Sequence, residues 1–285
     1  MQATAGSRQI IRTTTESGQV VYRHSIATRI THWVGFIAIL VLVMSGLQIF
    51  NASPQLDASD KSNPARRVLE IGADQTPAGA QTGYLKIGGW KIATTHLLGY
   101  TDDGQGGESD RAFPGWITFP GYQDLADGRR WHFFFGWVMV VCGVTYLVAG
   151  ALRKDLGLIV LRPSDLPKLL PMQLYYLKLR KEPPDHGKYN PLQKAGYTVV
   201  LFVLSPFLVI TGLALSPGVD SIAHPLTVLL GGRQFARLWH FAAMLAIVAF
   251  FFGHVFLVIS TGLVNNMRSM TVGTYRLGKH EGVGP

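Results

Sequence analysis

Long apolar runs alternate with polar connections along this chain. Helices of about 20 apolar residues cross the hydrocarbon core of a bilayer. Four runs meet that length: residues 32–50, 131–152, 194–215 and 238–265. The pattern predicts an all-α membrane protein, a four-helix transmembrane bundle that forms one integral-membrane domain over residues 1–285.

The connections predict further elements. Residues 51–130 form a loop of eighty residues rich in Gly, Pro and aromatic residues, as in GGWKIATTHLLGY and FPGWITFPGY. Such a composition predicts an ordered cap with short strands or turns between helices 1 and 2. Residues 163–181 predict an amphipathic interfacial helix. Pro206 and Gly212 predict a kink in the third span.

Charge predicts the orientation of the spans. The chain has 285 residues, of which 15% are charged, well below the roughly 25% of soluble domains. The loop of residues 51–130 holds ten acids and eight Lys/Arg, whereas residues 152–193 hold four acids and eight Lys/Arg. The positive-inside rule then puts both termini in the cytoplasm and the long loop in the periplasm of a bacterial inner membrane. This topology explains the net charge of +9 and predicts membrane lipid, not nucleic acid, as a partner.

Cysteine usage limits the cofactors. Cys142 is the one cysteine of the sequence, which excludes intrachain disulfides and cysteine-ligated zinc or iron–sulfur sites. No C-x-x-C-H motif occurs, so any haem is held non-covalently. The first apolar run follows about thirty mostly polar residues and precedes no clear cleavage site, which predicts a retained helix and not a signal peptide.

The fourth run carries two histidines, His240 and His254, fourteen residues apart. At about 100° per residue they end roughly 40° short of four full turns, so both leave one face of the helix. A rise of about 1.5 Å per residue separates them by about 21 Å, which places one ring near each edge of a core about 30 Å thick. A single membrane histidine often only hydrogen-bonds a neighbouring helix, so partners are needed.

Two such partners open the first and second runs, His32 and His132. Because consecutive spans run in opposite directions, His32 matches the depth of His254, and His132 that of His240. Two imidazoles from different helices at one depth can ligate haem iron from opposite faces. We therefore predict two haem b groups, with these four histidines as metal ligands. The remaining histidines are predicted loop residues: His24, His96, His186, His224 and His280.

Haem propionates need cationic partners at the interface. The arginines one turn or less before these histidines are the candidates: Arg29, Arg129, Arg130 and Arg237. Each can equally be an ordinary interfacial anchor.

Several motifs accompany the four histidines. They are THW at residues 31–33, MSG at 44–46, RRWH at 129–132, YNPLQK at 189–194 and LTVLLGGRQFARLWH at 226–240. On these motifs the chain resembles the di-haem cytochrome b subunits of nickel–iron hydrogenase, formate dehydrogenase and thiosulfate reductase, a bacterial cytochrome b561-like group. The resemblance covers all four spans and implies the same haem pairing.

The resemblance also implies a quinone site beside the cytoplasmic haem, at Asn190 and Gln193. Both side chains can donate to and accept from a quinone oxygen. The alternative is that Asn190 caps the third helix, with Pro191 at its first position. The long loop is unlike the hydrogenase type. Proteins similar in this respect are associated with periplasmic molybdopterin oxidoreductases of the sulfite-oxidase type.

The function predicted is a transmembrane di-haem cytochrome b, an electron-transfer subunit of a respiratory-chain oxidoreductase complex. It relays electrons between quinone and a periplasmic oxidoreductase subunit. One alternative is a stand-alone membrane oxidoreductase that couples quinone to small substrates such as superoxide. Another is a non-haem transporter or sensor that uses membrane histidines. The sequence leaves open whether the protein forms a homo-oligomer.

Overall fold

A computed structural model describes residues 13–15, 18–186 and 189–276 of the chain. The helices, in chain order, are α1 (Ile26–Asn51), α2 (Leu125–Leu152), α3 (Leu156–Ile159), α4 (Leu166–Tyr176), α5 (Pro191–Val199), α6 (Ser205–Leu215), α7 (Pro217–Leu229), α8 (Arg233–Ser260) and α9 (Leu263–Thr271). The strands are β1 (Thr13–Thr15), β2 (Gly18–Tyr22), β3 (Gln55–Asp57), β4 (Arg67–Gln75), β5 (Gln81–Ile87), β6 (Trp90–Ala93), β7 (Gly99–Asp102), β8 (Glu108–Arg111) and β9 (Thr274–Arg276).

Four helical stretches are long and apolar enough to cross a membrane, as predicted: α1, α2, Pro191–Leu215 and α8. Their mean hydropathy over the best window lies between 2.0 and 2.5. No more than 28% of any such window is buried inside the protein. Apolar side chains that find no protein partner need a non-aqueous surrounding, which the hydrocarbon core supplies.

The observed bounds correct the predicted ones. Helices α1 and α2 each begin six residues before the apolar runs at residues 32 and 131, because backbone hydrogen bonding continues through polar first turns. The fourth span ends at Ser260 and not at residue 265, because Gly262 adopts a left-handed φ of 106° before α9. The predicted interfacial helix over residues 163–181 is shorter, a 3₁₀ turn followed by α4, which stops at Tyr176.

The third span is irregular, as its proline predicts. A π-helical turn at Val200–Leu204 separates α5 from α6. Pro206 lies at the start of α6 and has no N–H to donate to the preceding turn. The backbone widens at that point, which is a recognised cause of helix distortion.

The chain forms two compact units, and α1, α2 and α8 each contribute to both. The first unit comprises the described residues up to Trp33, Val144–Val199, and the described residues from Ala249 onward. In it, β2 pairs antiparallel with β1 and with β9. The indole N–H of Trp33 donates to the Met270 carbonyl at 3.0 Å, which ties α1 to α9.

The second unit comprises Val34–Gly143 and Val200–Val248. It contains the long connection, which folds into an antiparallel sheet in the order β3-β4-β5-β6 and a β7-β8 hairpin. The predicted strands in this connection are therefore present, and the protein is mostly helical, not purely α. Its buried cluster is formed by Phe50, Leu56, Ile71 and Ala112, with Leu238 and Phe241 packed against it.

Buried polar contacts fasten the connection to the end of α1. The guanidinium of Arg111, 2% exposed, donates to Gln48 Oε1 at 3.1 Å and to the carbonyl oxygens of Asp103 and Gly121. The Asn51 amide oxygen accepts from the Phe113 N–H at 2.8 Å. A buried cation that keeps several acceptors is costly to release, so the connection is held in one place on the helix end.

Candidate functional site

The second unit brings His132 of α2 next to His240 of α8. Their ring centroids lie 6.1 Å apart, and the ring planes are inclined by 65°. Each Nδ1 contacts a hydroxyl of another helix: Ser45 Oγ lies 3.1 Å from His132 Nδ1, and Thr211 Oγ1 lies 2.9 Å from His240 Nδ1. Two imidazoles and two hydroxyls thus form one cluster in this unit.

The hydroxyls determine which ring nitrogen carries the proton. Ser45 donates its hydroxyl hydrogen to the Val41 carbonyl at 2.6 Å, and Thr211 donates to the Phe207 carbonyl at 2.8 Å. Each hydroxyl has one hydrogen, so its oxygen is left to accept from the histidine Nδ1–H. Protonation at Nδ1 leaves the Nε2 lone pair free, which is the form of imidazole that ligates a metal.

A glycine follows each hydroxyl residue and makes room for the ring. A Cβ at Gly46 would lie 3.3 Å from His132 Cε1, and a Cβ at Gly212 would lie 3.4 Å from His240 Cε1. Helices α1 and α6 therefore present the same hydroxyl–glycine pair to the two rings. The MSG motif identifies the first pair in the sequence. The corresponding sequence at Ile210–Gly212 carries the same signal and was missed.

The first unit brings His32 of α1 next to His254 of α8. Their ring centroids lie 6.3 Å apart, with planes inclined by 55°. His254 stacks on Phe250 at 5.8 Å, and His32 meets the edge of Trp33 at 5.2 Å. The Nδ1 of His32 is buried and has no hydrogen-bond partner among the described residues. This pair is held by aromatic packing instead of hydroxyls.

Both ring separations fit a bis-imidazole haem. A metal–imidazole bond is about 2.0 Å and the ring centroid lies about 1.1 Å behind the nitrogen, so two axial rings have centroids about 6.2 Å apart. The observed values are 6.1 and 6.3 Å. Rings that packed against each other directly could approach more closely. The two imidazoles of each pair are also suitable donors. The porphyrin of haem supplies four nitrogen ligands to the iron, and the protein supplies the remaining two.

The predicted propionate arginines have protein partners. Arg237 donates to the Ser53 carbonyl at 2.7 Å, and Arg130 pairs with Asp127 at 2.9 Å. Arg129 lies over the Phe133 ring at 5.7 Å. Arg29 donates through Nη1 to the Thr271 carbonyl, but its buried Nε has no partner among the described residues.

Asn190 and Gln193 form a capping box at the start of α5. The Asn190 Oδ1 accepts from the Gln193 N–H at 2.9 Å, and the Gln193 Oε1 accepts from the Asn190 N–H at 3.1 Å. The Asn190 amide N–H also donates to the Tyr176 hydroxyl at 2.9 Å. The structural alternative for Asn190, helix capping, is therefore present.

Tyr189, which precedes Asn190 in the chain, lines a small cavity in the first unit, whereas Asn190 and Gln193 are not among its lining residues. The lining includes Arg23, His24, Tyr146, Arg153 and Tyr189. Burial raises the pKa of Tyr189, so the phenol stays neutral and can donate a hydrogen bond.

The other described histidines lie outside the two pairs. His96 pairs with Glu108, and His224 lies 3.0 Å from Asp220. His186 is exposed on the connection before α5, and His24 lines the cavity. His280 lies outside the described residues.

Comparison with known proteins gives the family. Residues 23–273 match the family model described as prokaryotic cytochrome b561. The chain is also similar to a protein of Azospira oryzae with the provisional name protein-methionine-sulfoxide reductase subunit YedZ1. The two are 29% identical over 245 residues, which is 85% of this chain and 92% of the relative. The family match spans nearly the whole chain and all four apolar helices. This chain belongs to the prokaryotic cytochrome b561 family, whose members are multi-pass inner-membrane electron-transfer proteins that bind haem b.

Proposed function

We propose that the protein is a di-haem cytochrome b that relays electrons between quinone in the bilayer and a periplasmic oxidoreductase subunit. The observation that carries this proposal is the presence of two histidine pairs, one in each unit, with nearly equal ring separations of 6.1 and 6.3 Å. One such pair would support a mono-haem cytochrome. Two pairs that share helix α8 support a relay, because His240 and His254 lie on one continuous helix.

The haem groups supply reversible one-electron oxidation and reduction of iron when bound. His132 and His240 would hold one haem through Nε2, because Nδ1 of each ring faces a hydroxyl, and His32 and His254 would hold the other. As neutral ligands, these imidazoles suit an apolar surrounding. Ser45 and Thr211 orient one pair and hold its Nδ1 protons. The His32 ring lacks such an acceptor among the described residues. Since a hydrogen bond from a ligating imidazole changes its basicity, we infer that haems held by the two pairs would differ in reduction potential.

The orphaned Nε of Arg29 supports a propionate contact in the first unit. Arg29 lies one helical turn before His32 on α1, so the two side chains leave similar faces of the helix. A buried guanidinium N–H without a partner is costly, and an anionic propionate would satisfy it. In the second unit, Arg129, Arg130 and Arg237 remain propionate candidates by position, beside the pair of His132 and His240.

The support for a quinone site in the first unit is the cavity lined by Tyr189, the chain neighbour of Asn190. Tyr189 keeps its proton because burial raises its pKa, and it offers a donor to a quinone oxygen. The capping box occupies the Asn190 amide oxygen and backbone N–H, and one hydrogen of the Asn190 side-chain amide is donated to Tyr176. The second hydrogen of that amide and the side-chain NH₂ of Gln193 are the donors left to reach a quinone. We propose that Tyr189 donates to the quinone from this cavity and that Asn190 and Gln193, which follow Tyr189 in the chain, contact the quinone beside it.

The partner is proposed from the relative and the long connection. The Azospira relative carries the name of a reductase subunit, and this chain covers 92% of its length. We propose that residues 51–130 face the periplasm, that both termini face the cytoplasm, and that a reductase subunit docks near this connection. By the resemblance stated from the sequence, that subunit is a molybdopterin oxidoreductase.

A pyridine haemochrome assay on the purified chain tests the proposal directly. We expect a b-type spectrum with two haems per polypeptide, as counted against quantitative amino-acid analysis. A ratio of one would contradict the di-haem relay. A ratio of two combined with superoxide turnover by the chain alone would instead support the stand-alone oxidoreductase.

A further inference from the structure

The four-stranded sheet of the long connection has one apolar and one polar face. Paired residues of antiparallel strands point to the same side, and successive residues alternate. The register pairs Leu56 with Leu69, Leu69 with Ile87, Ile71 with Leu85, Leu85 with Ile92, and Ile87 with Trp90. We call this side the apolar face; it consists of Leu56, Leu69, Ile71, Leu85, Ile87, Trp90 and Ile92.

The opposite side, the polar face, carries charges that interact with one another. Tyr84 donates to Glu70 at 3.2 Å. Lys91 pairs with Asp74 and lies 4.0 Å from the centre of the Tyr84 ring. Lys86, opposite Lys91 in the register, is exposed on this side. This face is suited to water.

The apolar face packs on the ends of two membrane helices over only part of its length. Leu56 and Ile71 are 2% and 3% exposed, in the cluster with Phe50 of α1 against which Leu238 and Phe241 of α8 pack. The rings of Phe50 and Phe241 are in contact, with centroids 5.0 Å apart and planes inclined by 33°. The buried part of the face is therefore directed at the helix ends and away from water.

The hairpin of β5 and β6 continues the same face beyond that cluster. Ile87 is 48%, Ile92 49% and Trp90 80% exposed. Single exposed apolar residues are ordinary, but three that neighbour one another on a strand pair and extend a buried face form a patch that needs a partner.

We propose that this patch lies in the headgroup–acyl boundary of the bilayer, as an interfacial anchor of the long connection. The face to which the patch belongs is directed at the ends of α1 and α8. Because both helices are membrane spans, lipid surrounds their ends in the bilayer. Tryptophan with aliphatic neighbours on one side and lysines on the other is the composition of interfacial elements. A soluble protein that approaches from the aqueous side meets the polar face.

A second segment of the connection already reaches the depth of the spans. The N–H of Phe119 donates to the Met44 carbonyl at 3.2 Å, although α1 continues to Asn51. Seven residues of helix correspond to about 10 Å, so this segment descends alongside α1. The ring of Phe119 packs on that of Trp131 with centroids 5.1 Å apart, and Trp116, three residues before Phe119 in the chain, is 72% exposed. These tryptophans support a bilayer interface at this level of the second unit.

Spin labels at neighbouring positions on opposite faces test the anchor. Ile87→Cys and Lys86→Cys are introduced singly into a Cys142→Ser background, labelled with a nitroxide and reconstituted in phosphatidylcholine nanodiscs. We expect the label at 87 to collide severalfold more with oxygen, relative to a water-soluble nickel chelate, than the label at 86. Ile92→Cys, on the adjacent strand and the same face, repeats the measurement if Ile87→Cys perturbs folding. An unchanged haem absorbance serves as the check of folding.

Equal collision ratios at 86 and 87, with 92 agreeing, would overturn the proposal and leave the apolar face to a soluble protein. Dipolar broadening between labels at 87 of two chains in one nanodisc, without a raised oxygen ratio, would overturn it in favour of a second copy. The haem count is measured independently of these labels, so failure of the anchor and failure of the di-haem relay are distinguishable.

Discussion

The hydroxyl oxygen of Thr211 lies 2.9 Å from Nδ1 of His240, and that of Ser45 lies 3.1 Å from Nδ1 of His132. Both hydroxyls already donate to a carbonyl of their own helix, so both accept from the imidazole. Ser45 of α1 and Thr211 of α6 therefore hold the rings of His132 and His240 in the tautomer that leaves Nε2 free to bind a metal. Mutation of a residue that hydrogen-bonds a ligating histidine typically lowers metal affinity or activity about 10–100-fold.

Removal of the Thr211 hydroxyl should weaken this haem site. Thr211→Val keeps the shape but leaves the His240 Nδ1–H without its acceptor, so we expect about 10–100-fold faster haem loss to apomyoglobin from this site. Thr211→Ser is the matched control and should retain near-normal haem. The haem of the His32–His254 pair is an internal reference. If both haems were lost at equal rates from Thr211→Val, the orienting role would be wrong.

The histidine pairs predict selective loss of haem. His32→Ala and His254→Ala should each remove one haem, and His132→Ala and His240→Ala the other, because each site needs both axial ligands. Redox titration of the α-band absorbance distinguishes the two centres in the wild type. The same single component should remain in both variants of one pair. Loss of different components within a pair would contradict the pairing. His96→Ala and His224→Ala are the controls and should leave the spectrum unchanged.

The orientation predicts which surfaces an impermeant reagent reaches. Gln105→Cys in the long connection and Glu182→Cys before α5, both at exposed positions, are introduced singly into the Cys142→Ser background. A maleimide that does not cross membranes should label Gln105→Cys in intact spheroplasts, and Glu182→Cys only after lysis. The reverse pattern would invert the topology.

The long connection should be sensitive to the protonation of Asp57. Burial by itself would raise the pKa of this carboxylate, but hydrogen bonds from the Asn63 N–H, Arg67 and Ser62 outweigh burial and lower it below its usual 3.8. The carboxylate therefore stabilises the fold fully above about pH 4, and this contribution is lost as the pH falls through the lowered pKa.

Asp57→Asn should accordingly destabilise the β3-β4 region by about 1–3 kcal/mol at pH 7. The effect should shrink as the pH falls from about 4 through the lowered pKa of folded Asp57, where the wild-type carboxylate also becomes protonated. Hydrogen exchange of the backbone amides of residues 55–75, measured at pH 7 and below pH 4, gives the free energy of local unfolding of this region. Asp60→Asn, at an exposed carboxylate nearby, is the control and should change little. A constant difference at all pH values would show that the charge is not responsible.

The quinone proposal makes a separate prediction for Asn190. Asn190→Asp keeps the oxygen that caps α5 but loses the amide N–H that meets Tyr176. If the residue borders a quinone site, haem content should stay normal while reduction by quinol slows at least about tenfold, as is typical of a lost polar contact of about 1.4 kcal/mol. Normal quinol kinetics with both haems present would restrict Asn190 to its capping role.

The four spans and the pairing of His32 with His254 and of His132 with His240 were predictable from the amino-acid sequence. Hydrophobic length is a local property, and the bilayer fixes where each span must lie. Helical periodicity then places His240 and His254 on one face without reference to any neighbour. The strands of the long connection were predictable in kind from its turn-rich, aromatic composition, but their register was not.

The surroundings of each histidine ring could not be predicted from the sequence, because they depend on tertiary packing. The contacts of Ser45 and Thr211 depend on how α1 and α6 are rotated about their axes, and an apolar run without a marked face does not specify rotation. Asn190 illustrates the same limit: the motif allowed both a helix cap and a ligand contact, and the Gln193 and Tyr176 hydrogen bonds appear only when the chain is folded. The apolar face of the sheet likewise arises from a register between β5 and β6 and from helix ends distant in sequence. These contacts result from packing between segments that are distant in the sequence, and no single segment encodes them.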